Sequence, residues 1–385
     1  MNIITGHLKK SLISIILFLL LFTSFSSCQL SPAAALTPTV SATSTVTQKA
    51  QTTPSIEPTV LLGTSTTPSI EPTDLPEASA TSSIEPTDLP KPIGSPENPL
   101  ILGIVQVSAD PQAETGVKDV TDRLTQISNL SFQGRFFPSY MEMLTAMDRS
   151  EVQIAFLPPL TYLWSYHNGF AIVGLLANHF GTYMYASQFL ANTESQFNPF
   201  FDPDTNKNTA DATAALPQFA GKRPCWVDPT SLSGFILPSS LFFEQNINLL
   251  PMVFAQSSSA VIRALYIKGI CDFGATYAMT GDPRTASAVQ QDLPDALERI
   301  EIIWRSDPII PNLNISYLVD LPDETRQKLN QAFLELIKDQ NGKDALTRAS
   351  NYEINDLKII DNSVYDPLRK IIDLMQIDLI TTIGR

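Results

Sequence analysis

Histidine and cysteine are scarce, with three of each in 385 residues. Zinc and thiol chemistry lose their usual signs, because His167 and His179 stand at no zinc-ligand spacing. Neither a Gly-x-Ser-x-Gly elbow nor a phosphate-binding Walker loop occurs. Serines without an assignable base do not make a hydrolase, so no catalytic residue is expected and the chain reads as a non-enzyme. Basic residues are also short: 25 Lys and Arg face 39 Asp and Glu, a formal charge of −14. A nucleic-acid partner needs clustered cations, and this balance excludes one. The stretch from Asp202 to Asp211 has alternate oxygen donors like a calcium loop. Lys207 takes the place of the glycine and no Glu closes it, so no metal and no cofactor is expected.

Aromatic residues are missing from Ser31 to Pro99, where 12 of the 29 prolines fall. Such a segment buries too little apolar surface to offset its chain entropy. Ser-Ile-Glu-Pro-Thr begins at Ser55, Ser69 and Ser83, and prolines at this density rule out stacked helical or strand repeats. A solvated tether is expected over 28–98, reaching roughly 50 Å as coil and 200 Å as polyproline.

Ahead of it, Lys9 and Lys10 precede an apolar run ending in Phe25-Ser26-Ser27-Cys28. A charged start, a short apolar stretch and small residues make an export signal over 1–27, too short for a comfortable span. The small residues before Cys28 resemble a bacterial lipobox, which implies cleavage there and lipid on the Cys28 thiol. Removing 1–27 takes away two lysines and no acid, so the mature chain is more acidic still. Cys225 and Cys271 then remain as an even pair in an oxidising compartment, each at the start of an apparent strand. A disulfide between them is expected.

Beyond Pro99 the composition is globular and long enough for two lobes. Apolar strands at Leu100–Val107, Val152–Leu157, Phe170–Leu176, Val253–Ala255, Cys271–Tyr277 and Ile300–Trp304 alternate with helical spacing, as over Ser257–Lys268. This pattern predicts an α/β fold with parallel-dominated sheets flanked by helices, whose ligands sit beyond the carboxyl ends of strands. At two such ends, Asp228-Pro229-Thr230-Ser231-Leu232-Ser233-Gly234 and Ser257-Ser258-Ser259, hydroxyls stand at a helix start. Two roles are open to them: holding an anion with side-chain hydroxyls and backbone N–H groups, or capping the helix.

Gly221-Lys222-Arg223, the strand after it and Asp228 to Pro238 resemble the signature block of the phosphate, phosphite and phosphonate substrate-binding proteins of ABC transporters. Pro158-Pro159-Leu160-Thr161-Tyr162, Phe136-Phe137-Pro138-Ser139-Tyr140, Gly181-Thr182-Tyr183 and Ile302 to Pro311 resemble further family segments in the same order. The resemblance implies a two-lobed periplasmic-binding-protein fold of type II. Its first lobe would take 99–190, the second 191–305, and a return with a C-terminal helix 306–385. It also implies a monomeric receptor outside the cytoplasm, anchored by lipid to the bacterial membrane, that hands a small oxyanion to an ABC permease. The implied ligand set is Tyr140, Thr161, Tyr183, Thr230, Ser231, Ser233, Gly234, Ser257, Ser258 and Tyr277. Three positions depart from the family. Ser257 or Ser258 stands where the family has His, Leu232 where it has Thr or Ala, and Leu313 where an acid meets an amino group. A monoanion or a neutral organic solute thereby gains ground over an aminoalkylphosphonate or a dianion.

Overall fold

A computed structural model describes residues 91–383. The expected export signal, Cys28 and the three pentapeptide repeats lie outside the described residues. The expected tether boundary at 98 moves forward. Gly94, at φ 84, turns the chain so that its N–H reaches Asn98 O and its carbonyl accepts from Ser131 N. Ile93 packs on the first core, so the folded part already includes Pro92 to Asn98.

The first strand, β1 (Leu100–Val105), is apolar and mostly buried, as a strand covered on both faces must be. Helix α1 (Pro111–Ser128) follows: Asp110 caps it by accepting from Gln112 N, Pro111 pre-sets its first turn, and left-handed Asn129 ends it. Its buried Val117, Val120 and Leu124 face the sheet, each worth about 1.5–3 kcal/mol of burial. The chain continues through β2 (Phe132–Phe137), α2 (Tyr140–Asp148), β3 (Ile154–Leu157), α3 (Pro159–His167) and β4 (Ala171–Asn178).

It then crosses into a second sheet. There follow β5 (Met184–Asn192), the small hairpin β6 (Phe201–Asp202) and β7 (Lys207–Asn208), α4 (Ala212–Ala215), β8 (Pro224–Trp226) and α5 (Leu237–Glu244). Next come β9 (Val253–Phe254), α6 (Ser258–Ile267), β10 (Phe273–Ala278), α7 (Ser287–Asp292), α8 (Ala296–Arg299), β11 (Ile300–Arg305) and β12 (Ile310–Pro311). The return runs through β13 (Asn314–Leu318), α9 (Asp323–Leu336), α10 (Gln340–Ser350), β14 (Asp356–Ile359), α11 (Asp366–Leu374) and α12 (Leu379–Ile383).

The first sheet has the order β14-β4-β13-β3-β1-β2 and the second β11-β5-β10-β8-β9, with β12 against β5. In the first sheet β13 runs against both β3 and β4, and the edge strand β14 also runs against β4; in the second β5 runs against both β10 and β11. β13 and β5 are the crossover strands. β5 is the first strand after the chain leaves lobe one, and β13 the first after it comes back. The expected boundary at 190/191 is therefore corrected, because it cuts β5, all of which belongs to the second sheet. The crossing lies at 179–183, where His179 and Thr182 exchange both backbone hydrogen bonds around a two-residue turn.

Cys225 and Cys271 are bonded, with Cα atoms 5.6 Å apart, joining β8 to the residue two before its parallel neighbour β10. The C-terminal helix does more than pack on one lobe. Leu368, Ile371 and Ile372 of α11 share one apolar cluster with Leu163 and Phe170 of lobe one and with Leu232, Ile236 and Leu237 of lobe two. No helix among the described residues is long and apolar enough to cross a membrane.

Candidate ligand cleft

Eight chain segments meet where the two lobes face each other. From lobe one come Val105 and Val107 at the end of β1, Tyr140 at the start of α2, and Pro158 and Pro159 between β3 and α3. Tyr140 is placed by its neighbour: Ser139 caps α2, accepting from Glu142 N at 3.2 Å, and so orients the first helical residue. The crossover contributes His179, Phe180, Tyr185, Asn312 and Leu313, lobe two contributes Ser233, Tyr277 and Thr280, and the end of α10 contributes Ser350 to Tyr352. They enclose about 670 Å³. A second space of about 330 Å³ shares Tyr140, Pro158, Pro159, Tyr185 and Ser233 and adds Leu160, Thr161, Thr230, Ser231 and Leu232, with Thr382 and Ile383 of α12 at its edge.

The polar end is built by the loop after β8. Asp228 folds it back, accepting from Thr230 N at 2.8 Å and from Thr230 Oγ1 at 2.6 Å. Ser231 Oγ then accepts from Gly234 N at 3.0 Å. The backbone opens into a wide π-turn over Leu232–Ile236, in which the Phe235 and Ile236 N–H groups both reach Ser231 O. Ser233 thus sits in the first turn of a helix, where backbone N–H groups lack intrahelical acceptors. Its hydroxyl has no partner among the described residues although the residue is only 7% exposed. A side chain cannot replace Gly234: a Cβ there would meet Val227 Cγ2 at 2.3 Å.

Four tyrosines also line the cleft. Burial pushes the Tyr140 phenol up to about 12 and raises Tyr185 and Tyr352 further; Tyr277 is raised chiefly by burial and then by Asp282. All four therefore stay protonated and able to donate. Tyr352 OH donates to Asn312 Oδ1 at 3.0 Å, while Asn312 Nδ2 donates to Thr182 O at 2.7 Å, tying α10's end to the crossover. His179 stacks on Tyr352 at 4.2 Å, and its Nδ1 lies 2.8 Å from Glu353 O. Since a carbonyl only accepts, that nitrogen carries the hydrogen. Among the described residues, no Lys, Arg, Asp or Glu lines either space.

Of the expected ligand set, Tyr140, Ser233 and Tyr277 line the larger space and Thr161, Thr230 and Ser231 the smaller. Gly234 stands behind them, its N–H already taken. Three residues lie elsewhere, which corrects the expected set. Tyr183 stands just ahead of β5 and turns to the outer strand β14, donating to Asp356 at 2.7 Å with Lys358 over its ring. Ser257 caps α6 through Ala260 N at 3.1 Å, and neither it nor Ser258 lines a cavity. In their place the structure supplies Tyr185, Phe180, Asn312 and Tyr352. Tyr185 falls in the same short segment as Tyr183 and Asn312 beside Leu313, so both were close to motifs; Tyr352 carries no local signal. The acidic loop at Asp202 is a turn closed by its own side chains, with Asp202 accepting from Asp204 N and Thr205 Oγ1. No cluster of metal-ligating side chains occurs among the described residues.

Two lobes of this topology, joined by two crossover strands over a polar cleft, define a periplasmic-binding-protein fold of type II. Residues 102–365 match the family model described as ABC transporter, phosphonate, periplasmic substrate-binding protein. The chain belongs to that family, whose members are the extracytoplasmic binding components of transporters and not enzymes. No protein of curated function matches the sequence significantly. A Xanthomonas citri protein solved with ATP is similar in fold, at 15% identity and a TM-score of 0.52 over 72% of this chain and 96% of the other. The same protein with chloride gives 17%, 0.52, and 72% and 97% coverage. A Prochlorococcus marinus protein in complex with methylphosphonate shares 14% identity at a TM-score of 0.48, over 72% of this chain and 98% of the other.

Proposed function

We propose that this protein is a lipid-anchored, monomeric receptor that closes its lobes on a small phosphonate-, phosphite- or phosphate-type oxyanion and presents it to an ABC permease. One observation carries this reading: the first-turn Ser233 hydroxyl, without a protein partner, stands in the cleft beside Thr161 and Tyr140 of the opposite lobe. Donors from both lobes then gain their acceptor only when the lobes meet around a ligand. Cys28 would supply the anchor and the repetitive segment behind it the reach. The absence of Lys and Arg from the described lining residues favours a second reading, a sensor of some other small organic solute that works without a permease.

Thermal unfolding separates the two. A ligand at one hundred times its Kd stabilises by about 2.7 kcal/mol, a rise of several degrees for a domain of this size. Phosphate, phosphite or methylphosphonate at millimolar concentration should produce it. No shift with any of the three, beside a shift with an uncharged solute, would move the assignment to the second reading.

A further inference from the structure

The two spaces share five lining residues and form one cleft with unlike ends. The end at Ser231 and Ser233 is small and gathers the hydroxyls of Thr161, Thr230, Ser231 and Ser233. The other end encloses about 670 Å³, within the range of about 300–1,000 Å³ in which pockets bury drug-sized molecules. A bare tetrahedral oxyanion would leave most of it to water.

The wall of the larger end carries Val105, Val107, Phe180 and Leu313 beside its tyrosines and Asn312. Val107 is 87% exposed and Phe180 55% exposed, although both line the cavity. Phe180 is also held at φ 47, with Gly181 at φ 86, in the two-residue turn closed by His179 and Thr182. Such turns ordinarily place Asn or Asp before Gly, and a bulky side chain avoids that backbone region. The strain leaves an aromatic ring standing on the cavity wall without covering the protein's own core. Strain maintained at a ligand clamp is a functional arrangement.

Charge narrows the occupant further. A dianion drawn out of water would find no cation among the described lining residues, whereas a single charge is matched by hydroxyl and helix-start donors. The hydroxyls of the half-buried Tyr140, Tyr185 and Tyr277 have no protein partner among the described residues and are free to donate to a ligand.

Resting on the reading that the cleft holds a phosphorus oxyanion, we infer that its substrate class is an organophosphorus monoanion with an aromatic or similarly bulky apolar body. The head lies at Ser231 and Ser233, and the body lies against Phe180 and Val107. Monoesters of aryl phosphonates belong to this class. They keep one charge at mildly alkaline pH, where phosphate and alkylphosphonates carry mostly two.

Isothermal titration at mildly alkaline pH with monoethyl phenylphosphonate, methylphosphonate, inorganic phosphate and the neutral diethyl phenylphosphonate tests this. The monoester should bind at least about tenfold tighter than methylphosphonate or phosphate, given the missing cation. Phe180→Ala should weaken the monoester by about fivefold and phosphate by clearly less, since the body contact is lost. Its exposed position keeps the fold, which an unchanged unfolding temperature verifies. Tighter binding of phosphate or methylphosphonate than of the monoester would overturn the inference and leave the oxyanion reading standing. Equal binding of the neutral diester would overturn the oxyanion reading as well. No heat with any of the four compounds would overturn both.

Discussion

Two serine clusters start alike in lobe two and end with different fates. Each follows a short strand, each opens a helix, and each spends one hydroxyl on its own cap, Ser231 accepting from Gly234 N and Ser257 from Ala260 N. Only the first reaches the cleft. The difference lies in the sheet: β8 sits between β10 and β9, whereas β9 is the edge strand. A loop after an interior strand opens at the middle of the sheet's carboxyl end, where ligands of α/β sheets bind, and a loop after the edge strand opens beside it. The wide turn over Leu232–Ile236 adds a second difference, because after Ser231 has capped the helix Ser233 remains free in the same turn. Local chemistry makes the cap, and topology decides whether the cap is also a site.

The largest effect should come from the covalent tie that holds the first cluster's strand in place. The Cys225–Cys271 bond joins β8 to β10, the two strands whose ends carry Ser233 and Tyr277, and it closes a loop of 46 residues in sequence separation. By loop entropy such a link contributes about 4 kcal/mol. Replacing both cysteines with Ala should lower the urea midpoint and the unfolding temperature by several degrees or more, and a reductant should do the same to the parent protein. An unfolding curve that does not move on reduction would mean that β8 needs no such tie.

Next in size is the loss of the cleft hydroxyl itself. Ser233→Ala removes a donor and an acceptor that no protein group uses, so stability should change little while binding weakens by about 1–1.5 kcal/mol, near tenfold in Kd. Titration of the tightest of the phosphorus compounds measures it. Undiminished affinity would detach the helix start from the ligand and leave the tyrosines as the binding elements.

Much of this arrangement was legible in the sequence, and the rest was hidden for identifiable reasons. The parallel strands and the Ser231 cluster were readable because apolar runs and helix-start residues are local signals. The crossover strands were not. β13 is buried throughout yet carries Asn314 and Ser316, which satisfy each other while Asn314 Nδ2 donates to Tyr365 OH, 51 residues away. A strand whose polar residues find such distant partners breaks the apolar pattern that marks it. Without β5 and β13 the lobe boundary falls too late, and Tyr183 stands in for Tyr185. Tyr352 reaches the cleft only because α10 ends beside Asn312, a relation between residues 40 apart. The resemblance supplied the family and the order of its blocks, but only the coordinates separate the cluster that lines the cleft from the one beside it.

The smallest effect is the sharpest check on that separation. Ser257→Ala removes the cap of α6, which should cost about 1 kcal/mol of stability and a few degrees of unfolding temperature at most. Ligand affinity should stay within error of the parent, because Ser257 lines neither space and its hydroxyl already accepts from Ala260 N. Ser258→Ala should do less still, since Ser258 is the first helical residue and makes no cap contact. Measured beside Ser233→Ala, the two clusters would then exchange signatures: one variant loses affinity and keeps its stability, the other loses stability and keeps its affinity. A drop in affinity for Ser257→Ala as large as for Ser233→Ala would show that closure on the ligand brings the edge-strand loop into the cleft.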